Sequence, residues 1–320
     1  MLGRNKPAVK PDVIIPVYRP DIRLRFLVKR LEEQTVVPGR IIIMLTLDRG
    51  DSRLFVPEGC EVYTLPRRGY DHAGTRNLGA AYSESPYFIM MTQDAVPADR
   101  HLIENLMKGI LEDGAAVSYG RQLAYRSSSF TEKLTRGFNY PEVSSVRTAE
   151  DIPSLGIKAF FCSNVCAAYD RDAFVQLGGF SAPAVFNEDM VYARSVLESG
   201  KSISYRADAR VYHSHDYSVG RLFRRNFDLA ASQRMHPEVF GDISSEGEGV
   251  KYVMRVTGKL AASGHIFSVL PFIFRCAVRY AAFFLGKRYN ILPLPVILRC
   301  TDNPYFWKTQ KRLEKENEGK

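Results

Sequence analysis

Hydrophobic and polar positions along the first part of the chain alternate in blocks that predict strands followed by helices. Almost continuous apolar runs, which are typical of buried strands, occupy residues 12–18, 40–47, 60–65 and 87–92. Apolar side chains at helical spacing occupy residues 24–31, 75–82 and 102–111. Strands that alternate with helices predict an α/β domain with a mostly parallel sheet and right-handed crossovers.

The pattern becomes less regular after residue 115. Further strands are predicted at residues 117–120, 160–169, 203–205 and 209–213. Residues 131–157 are polar and weakly periodic, which predicts a loop over a functional site. We therefore expect an α/β domain over residues 1–240 and a separate C-terminal helical region over residues 241–320.

Charge is distributed unevenly along the 320 residues, whose net charge is +9. Residues 1–250 contain 31 Lys and Arg against 31 Asp and Glu, whereas residues 251–320 contain 13 against 4. The excess positive charge therefore lies in an apolar tail and not in a polar groove. This distribution argues against a nucleic-acid-binding protein.

The tail mixes cations with aromatic and aliphatic side chains. Between Lys259 and Arg275 lie 15 uncharged residues, interrupted by Gly264 and Pro271, and we expect this stretch to be too short to span a bilayer. Such a composition is typical of interfacial helices on an anionic membrane surface. A helical cap packed on the core and the contact surface of a homodimer are the alternatives.

Two acidic signatures stand where a site for chemistry is expected. Asp94 follows the apolar run at 87–92, and carboxylates at the end of such a strand lie where open α/β sheets bind ligands. Glu188 and Asp189 open a segment with helical character. One carboxylate to hold a metal and another to take a proton are sufficient to move a sugar from a nucleotide. The alternative for Asp94 is a helix N-cap. The alternative for Glu188 and Asp189 is a pair of acids that the helix dipole stabilises at a helix start.

Together with their order along the chain, five motifs identify a resemblance. They are Ile15-Pro16-Val17-Tyr18, the run Asp71-His72-Ala73-Gly74-Thr75-Arg76-Asn77, Thr92-Gln93-Asp94, Asn187-Glu188-Asp189 and Val211-Tyr212-His213-Ser214-His215. Over roughly residues 11–240 the chain resembles bacterial family 2 glycosyltransferases with the GT-A fold. Within that family it is most similar to the rhamnosyltransferase-type enzymes of surface-polysaccharide assembly.

The resemblance implies a site for a nucleotide-sugar donor. Its expected members are Pro16, Val17, Tyr18, Asp48, Asp71, Arg76, Asn77, Gln93 and Asp94. Tyr18 would stack on the nucleobase, or is simply a buried aromatic. Arg76 would grip a phosphate by paired hydrogen bonds, and Asn77 is equally well explained as a capping residue. Arg221, Arg224 and Arg225 would either close over the diphosphate or form a solvated basic face.

The metal implied by the resemblance is Mg²⁺ or Mn²⁺, bound by Asp94 and His213. The usual Asp-x-Asp motif of the family has Thr92 at its first position here, so Asp94 is the one carboxylate ligand that remains. His213 and His215 are two residues apart and would point the same way from an extended strand. One of them would complete the metal shell, or both are polar residues at a strand end.

Asp189 is the expected general base, which would take the proton of the acceptor hydroxyl. Glu188 would shape the acceptor pocket or orient Asp189, and Gly179 and Phe180 would turn the chain toward that pocket. The resemblance thus implies inverting transfer of L-rhamnose from dTDP-β-L-rhamnose.

The expected acceptor is a lipid-linked or growing cell-surface polysaccharide. The enzyme would then be peripheral at the inner face of the cytoplasmic membrane. A UDP-hexose-dependent transferase of the same pathway class and a non-catalytic scaffold with the same fold are the alternatives.

Overall fold

The computed structural model describes residues 10–48, 55–68, 70–242 and 246–318. These residues build one nine-stranded sheet in the order β3-β2-β1-β4-β8-β6-β9-β5, with β7 beside β9. The strands are β1 Asp12–Tyr18, β2 Ile41–Leu47, β3 Glu61–Pro66, β4 Tyr87–Met91, β5 Val96–Pro97, β6 Val117–Leu123, β7 Ser145–Arg147, β8 Cys166–Asp170 and β9 Ile203–Tyr212.

The sheet is parallel from β3 through β2 and β1 to β4, as the alternation of strands and helices predicts. β8 then runs antiparallel between β4 and β6, and β9 runs parallel to β6. This mixed sheet brings the ends of β1, β2, β4, β6 and β9 to the same edge as the start of β8. Candidate site residues gather at that edge.

Helices cover both faces of the sheet. They are α1 Ile22–Glu32, α2 His72–Tyr82, α3 Leu102–Leu111, α4 Phe130–Asn139, α5 Ile152–Leu155, α6 Arg171–Gln176, α7 Glu188–Glu198, α8 Val219–Met235, α9 Pro237–Phe240, α10 Glu246–Ala262, α11 Val269–Gly286, α12 Leu294–Cys300 and α13 Pro304–Glu318. The apolar sides of α1 and α3 pack in one core cluster, whereas α2, α6 and α7 contribute to a second. The α/β class predicted from the sequence is confirmed.

The loop predicted over residues 131–157 is wrong, because α4 and β7 form within it. Ser129 caps α4, and its side chain accepts a hydrogen bond from the backbone N–H of Glu132. Phe130 and Leu134 pack on a cluster that α10 and α11 complete. The partners of this helix lie more than a hundred residues along the chain, so local periodicity does not reveal it.

In the C-terminal region, α11 packs along α8. Gly286 approaches so closely that a Cβ atom would lie 2.4 Å from the carbonyl oxygen of Phe227. The apolar segment is longer than predicted: it covers 21 residues, Ile266–Gly286, and an 18-residue window within it has a mean hydropathy of 1.5 and is only 11% buried. By length and composition alone it could cross a membrane, so the expectation that it is too short is wrong.

Candidate active site

A cleft of about 470 Å³ opens beside the carboxyl ends of β1 and β2. Four arginines, which suit the recognition of phosphate groups, line it: Arg67, Arg221, Arg224 and Arg225. Residues 302–306 of the C-terminal region form part of the same wall. The division predicted at residue 240 stays a prediction, but the cleft takes residues from both sides of it.

Tyr18 lines this cleft and pairs with Asp48. The Tyr18 hydroxyl donates to Asp48 Oδ2 at 2.6 Å, and Arg67 Nη1 lies 2.5 Å from the same oxygen. The Arg67 guanidinium stacks 4.9 Å from the Tyr18 ring centroid and 5.1 Å from that of Tyr305. The hydrogen bond from Tyr18 and the charge of Arg67 lower the pKa of Asp48. Arg67 thus holds an ionised Asp48 carboxylate beside the Tyr18 ring, which lines the cleft.

The other residues predicted at the first strand's end differ in exposure. Val17 is buried in the core, and Pro16 is half-buried. Gln93 lies beside them: its side-chain oxygen accepts from Tyr18 N at 2.9 Å, and its amide nitrogen donates to Tyr18 O at 3.1 Å. Gln93 thus fixes the backbone of Tyr18, whereas Val17 supports the pocket from within the core.

Asp71 and Asn77 hold the α2 segment in place. Asp71 is the N-cap of α2 and accepts from Gly74 N at 2.6 Å. Asn77 forms two hydrogen bonds with the backbone of Phe180, one with its N–H at 2.9 Å and one with its carbonyl at 2.8 Å. The contacts of Asn77 match its structural alternative, and they join α2 to the segment after α6.

Arg76 is buried in an ion pair and does not line the cleft. Its Nη1 lies 3.3 Å from Glu188 Oε1, with both side chains no more than 7% exposed. Although burial acts against it, the charge of Arg76 lowers the pKa of Glu188. The structure therefore places Arg76 as a positioning residue for the acidic pair and not beside a phosphate.

Asp94, His213 and His215 converge at the sheet edge. The ligand atoms of these three side chains lie within 4.8 Å of one another. The two histidine Nε2 atoms are 2.9 Å apart, and each lies 3.2 to 3.5 Å from an Asp94 oxygen. Ligands that bind one divalent cation at about 2.1 Å and at right angles lie about 3 Å from one another. The three side chains therefore fit a cation, and His215 joins the two predicted ligands.

Gln122 fixes the tautomer of His213. The Gln122 side-chain oxygen accepts from Arg136 Nη1 at 2.6 Å and lies 2.8 Å from His213 Nδ1. Because that oxygen is an acceptor, Nδ1 carries the hydrogen and Nε2 turns its lone pair toward Asp94. Burial lowers the pKa of His213 to about 3, which keeps the imidazole neutral. A neutral Nε2 is the form that binds a metal.

Asp189 stands at the start of α7, half-buried and next to buried Glu188. It accepts hydrogen bonds at 2.9 Å from the backbone N–H groups of Asn164 and Met190. Burial, together with the negative charge of Glu188, raises the pKa of Asp189 to about 7. A carboxylate that is poised near neutral pH can take a proton and release it again.

Hydrogen bonds connect the metal ligands to this acid pair. Gln122 Nε2 donates to Ser163 Oγ at 3.0 Å, and the next residue, Asn164, donates from its side chain to Glu188 Oε1 at 3.1 Å. Gln122, Ser163 and Asn164 were missed by the sequence reasoning. Neutral polar side chains have no sequence pattern that marks them as functional. These three are identified by where the fold places them, near the end of β6 and just before β8.

Gly179 and Phe180 do not reach an open site. Phe180 is 2% exposed and lies among Tyr169, Phe174 and Tyr192 in the core. A side chain buried to this extent contacts protein and not an acceptor sugar. Gly179 has a φ of +70°, and a Cβ atom there would lie 2.9 Å from Asn77 Oδ1. Both residues therefore shape the turn that Asn77 holds.

The profile of glycosyl transferase family 2 matches residues 12–178, more than half of the chain. The chain therefore belongs to this family and is a glycosyltransferase. It is 30% identical over 306 residues to O-antigen chain rhamnosyltransferase RfbN of Salmonella typhimurium, covering 93% of this chain and 96% of that protein. O-antigen chain rhamnosyltransferase WbaN of Salmonella anatum is 29% identical over 279 residues, or 86% and 88% of the two chains.

Solved structures support the fold. The mannosyltransferase PcManGT from Pyrobaculum calidifontis, in complex with GDP-Man and Mn²⁺, superposes with a TM-score of 0.61 at 13% identity, covering 90% of this chain and 89% of that one. S. aureus TarS 1-349 has a TM-score of 0.50 at 13% identity, with 87% and 89% coverage. At these identities the likeness shows the fold alone, and it confirms the GT-A class.

Proposed function

We propose that this glycosyltransferase moves L-rhamnose, with inversion, from dTDP-β-L-rhamnose to a lipid-linked or growing polysaccharide acceptor. Two relatives that align along most of the chain are O-antigen chain rhamnosyltransferases. The observation that carries the mechanism is the hydrogen-bonded connection between the Asp94, His213 and His215 cluster and Asp189. It joins a cation site to a carboxylate with a raised pKa at one edge of the sheet.

In the proposed reaction the acceptor hydroxyl oxygen attacks the anomeric carbon of the donor. The bond from that carbon to the diphosphate oxygen breaks, and the nucleoside diphosphate leaves with the electron pair. Asp189 takes the hydroxyl proton, as its pKa near neutrality allows. One displacement with one base inverts the configuration of the anomeric carbon.

Asp94, His213 and His215 would hold the metal. When bound, Mg²⁺ or Mn²⁺ neutralises the charge that develops on the departing diphosphate. Because imidazole nitrogen is a poor ligand for Mg²⁺, which prefers oxygen, a site with two imidazoles favours Mn²⁺. Gln122 orients His213, and Asp94 stays ionised because, against the effect of burial, the hydrogen bond from His215 helps to lower its pKa.

The donor would occupy the arginine-lined cleft. Tyr18 and Asp48 stand where the resemblance places the nucleobase. Arg221, Arg224 and Arg225 project from the first turns of α8 into the same cleft, which favours their interaction with a diphosphate over the alternative of a solvated basic face. The arrangement supports a nucleotide-sugar donor and leaves the choice of sugar to the shape of the pocket.

A peripheral position at the inner face of the cytoplasmic membrane belongs to this proposal. Apolar side chains of α11 and the turn before it are strongly exposed, among them Phe267, Leu270 and Phe274. One side of α11 is packed on α8, so the helix has a protein face as well as an exposed apolar one. That asymmetry favours a helix that lies in the membrane surface.

Calorimetric titration with dTDP, UDP and GDP, each with and without Mn²⁺, tests the donor assignment. We expect Mn²⁺-dependent preference for dTDP in the wild type and its loss in Asp94→Asn. Preference for UDP would move the donor to a hexose and retain the mechanism. Failure to bind any nucleotide would contradict the transferase proposal and favour a non-catalytic scaffold.

A further inference from the structure

A second cavity of about 450 Å³ lies between α4, the start of α8 and the α10–α11 pair. The metal ligand His215 belongs to its lining, as does Arg225, which also lines the donor cleft. The proposed mechanism gives this cavity no role. Its position beside a metal ligand makes it a candidate for the second substrate.

The cavity is cationic. Its arginines are Arg136, Arg225, Arg275 and Arg279, and the acids among the described residues of its lining are Glu132 and Asp216. Glu132 is already paired with Arg136, at 2.9 Å. Asp216 is exposed to solvent. The positive charge of the interior is therefore only partly neutralised by protein carboxylates.

Among the described residues, two of these arginines contact neutral groups and no carboxylate. Arg275 Nη2 donates to the carbonyl oxygen of Tyr217 at 3.0 Å, and Arg279 Nη1 donates to the Tyr252 hydroxyl at 3.1 Å. Each guanidinium has five N–H donors in a planar fork. Most of these donors stay available for an anion with several oxygens, and paired hydrogen bonds to phosphate oxygens are the strongest that they can make.

The cavity continues into an exposed apolar surface. Phe267 and Pro271 line its mouth, and Phe267 is 93% exposed and Leu270 76% exposed. Phe274 and Ile273 extend the same surface along α11. An anion-binding cavity whose rim is an exposed apolar helix matches an amphiphile with a phosphorylated head and a hydrocarbon chain.

The cavity also connects to the catalytic centre. Arg136 Nη1 donates to Gln122 Oε1, the oxygen that orients His213. A head group bound by Arg136, Arg275 and Arg279 would therefore lie beside the metal cluster, next to the donor cleft with which this cavity shares Arg225.

We infer that the second cavity binds the diphosphate of a lipid-linked acceptor, with its hydrocarbon chain against Phe267 and Leu270. The inference rests on the proposed function and assigns the acceptor's anchor to named residues. Arg275 and Arg279 grip the diphosphate, and the apolar face of α11 holds the lipid. The acceptor is thereby selected by its lipid diphosphate as well as by its sugar.

Vesicle flotation tests this site. The probe is phosphatidylcholine vesicles that contain a long-chain polyprenyl diphosphate, compared with phosphatidylcholine alone and with phosphatidylglycerol vesicles of equal negative charge. We expect the wild type to prefer the diphosphate vesicles and Arg275→Gln/Arg279→Gln to bind them about 100-fold more weakly. Lys29→Gln/Arg100→Gln, which removes the same charge from exposed positions, should bind like the wild type.

A second variant keeps the test valid if the double arginine variant fails to fold. Phe267→Asp changes a side chain that is almost fully exposed, and we expect it to lose vesicle binding while inorganic pyrophosphate still binds the protein weakly. Calorimetry with dTDP on every variant separates this inference from the proposed function, because donor affinity should be unchanged.

Three results would overturn the inference. Equal binding to phosphatidylglycerol vesicles would indicate a general anionic membrane surface. Pyrophosphate binding as tight as that of the lipid would indicate a pocket for a free phosphate compound. Absence of vesicle binding, together with a dimer that Phe267→Asp dissociates in sedimentation, would assign the apolar face to a second copy of the chain.

Discussion

The backbone amide of Asn164 donates a hydrogen bond to Oδ2 of Asp189 across 2.9 Å. The side-chain amide of the same residue donates to Glu188 Oε1. One residue just before β8 thus orients two adjacent carboxylates that have different environments. Glu188 faces the buried Arg76 and is held ionised, whereas Asp189 is left as the acid whose proton exchanges near neutral pH.

Asp189→Asn should lower kcat by a factor of about 10² to 10⁴, the usual contribution of a general base. The amide keeps the size of the carboxylate and can still accept from Asn164, so we expect the thermal midpoint to change little. Steady-state transfer kinetics measure the effect. Glu198→Gln, an acid-to-amide change at the exposed end of the same helix, is the control and should retain wild-type kcat.

The pH dependence of transfer should report the pKa of Asp189, which is about 7. The base acts in its ionised form, so kcat/KM should fall about tenfold per pH unit below that value and level off above it. Measurement of initial rates over the neutral range checks this limb. A profile that stays flat well below neutrality would show that another group takes the proton.

Mn²⁺ binding should depend on the side chains of Asp94, His213 and His215. His215→Ala removes a ligand that the sequence left undecided, and we expect a loss of Mn²⁺ affinity comparable to that of Asp94→Asn. Gln122→Leu removes the partner of His213 Nδ1, and the expected loss is about 10- to 100-fold. Electron paramagnetic resonance of Mn²⁺ measures free and bound metal directly. His101→Ala, at an exposed helix start, is the control.

The sequence carried enough information for the fold because the signals for it are local. Continuous apolar runs between Asp12 and Thr92 predict parallel strands, and the sheet contains them. A strand was predicted at residues 160–169, where β8 forms, but its antiparallel direction was not foreseen, because the direction of a strand follows from tertiary pairing and not from its own residues. The helix α4 was missed for the same reason, since its apolar face is completed by α10 and α11.

The candidate site was easiest to predict where an acid or a histidine stands at the end of an apolar strand or at the start of a helix. Asp94 and His213 come together at one edge of the sheet, and Asp189 is connected to them through Gln122, Ser163 and Asn164. Arg76 was predicted to contact the donor and Phe180 the acceptor, but the structure buries both. The sequence shows the charge or the aromatic ring, but not the protein groups that it contacts.

Asp228 gives a stability prediction. Burial raises its pKa to about 6, although hydrogen bonds from Thr301, Asp302, Asn303 and Trp307 act against this. The folded state therefore binds more protons than the unfolded state between about pH 4 and 6. The free energy of unfolding should fall by roughly 2–3 kcal/mol as pH rises through that window and be level above it.

Urea unfolding of the wild type and of Asp228→Asn across this range isolates the effect, because the other acids titrate in both proteins. The difference between the two proteins should change with pH below 6 and be constant above it. A constant difference across the whole range would contradict the raised pKa of Asp228.

The most direct test of the central claim is nuclear magnetic resonance of the product formed from dTDP-β-L-rhamnose, Mn²⁺ and a lipid-linked acceptor. The account predicts a single new rhamnosyl linkage with the α configuration, formed by the wild type and nearly absent with Asp189→Asn. A β-linked product would contradict direct inversion. A product formed only from another nucleotide sugar would contradict the donor assignment.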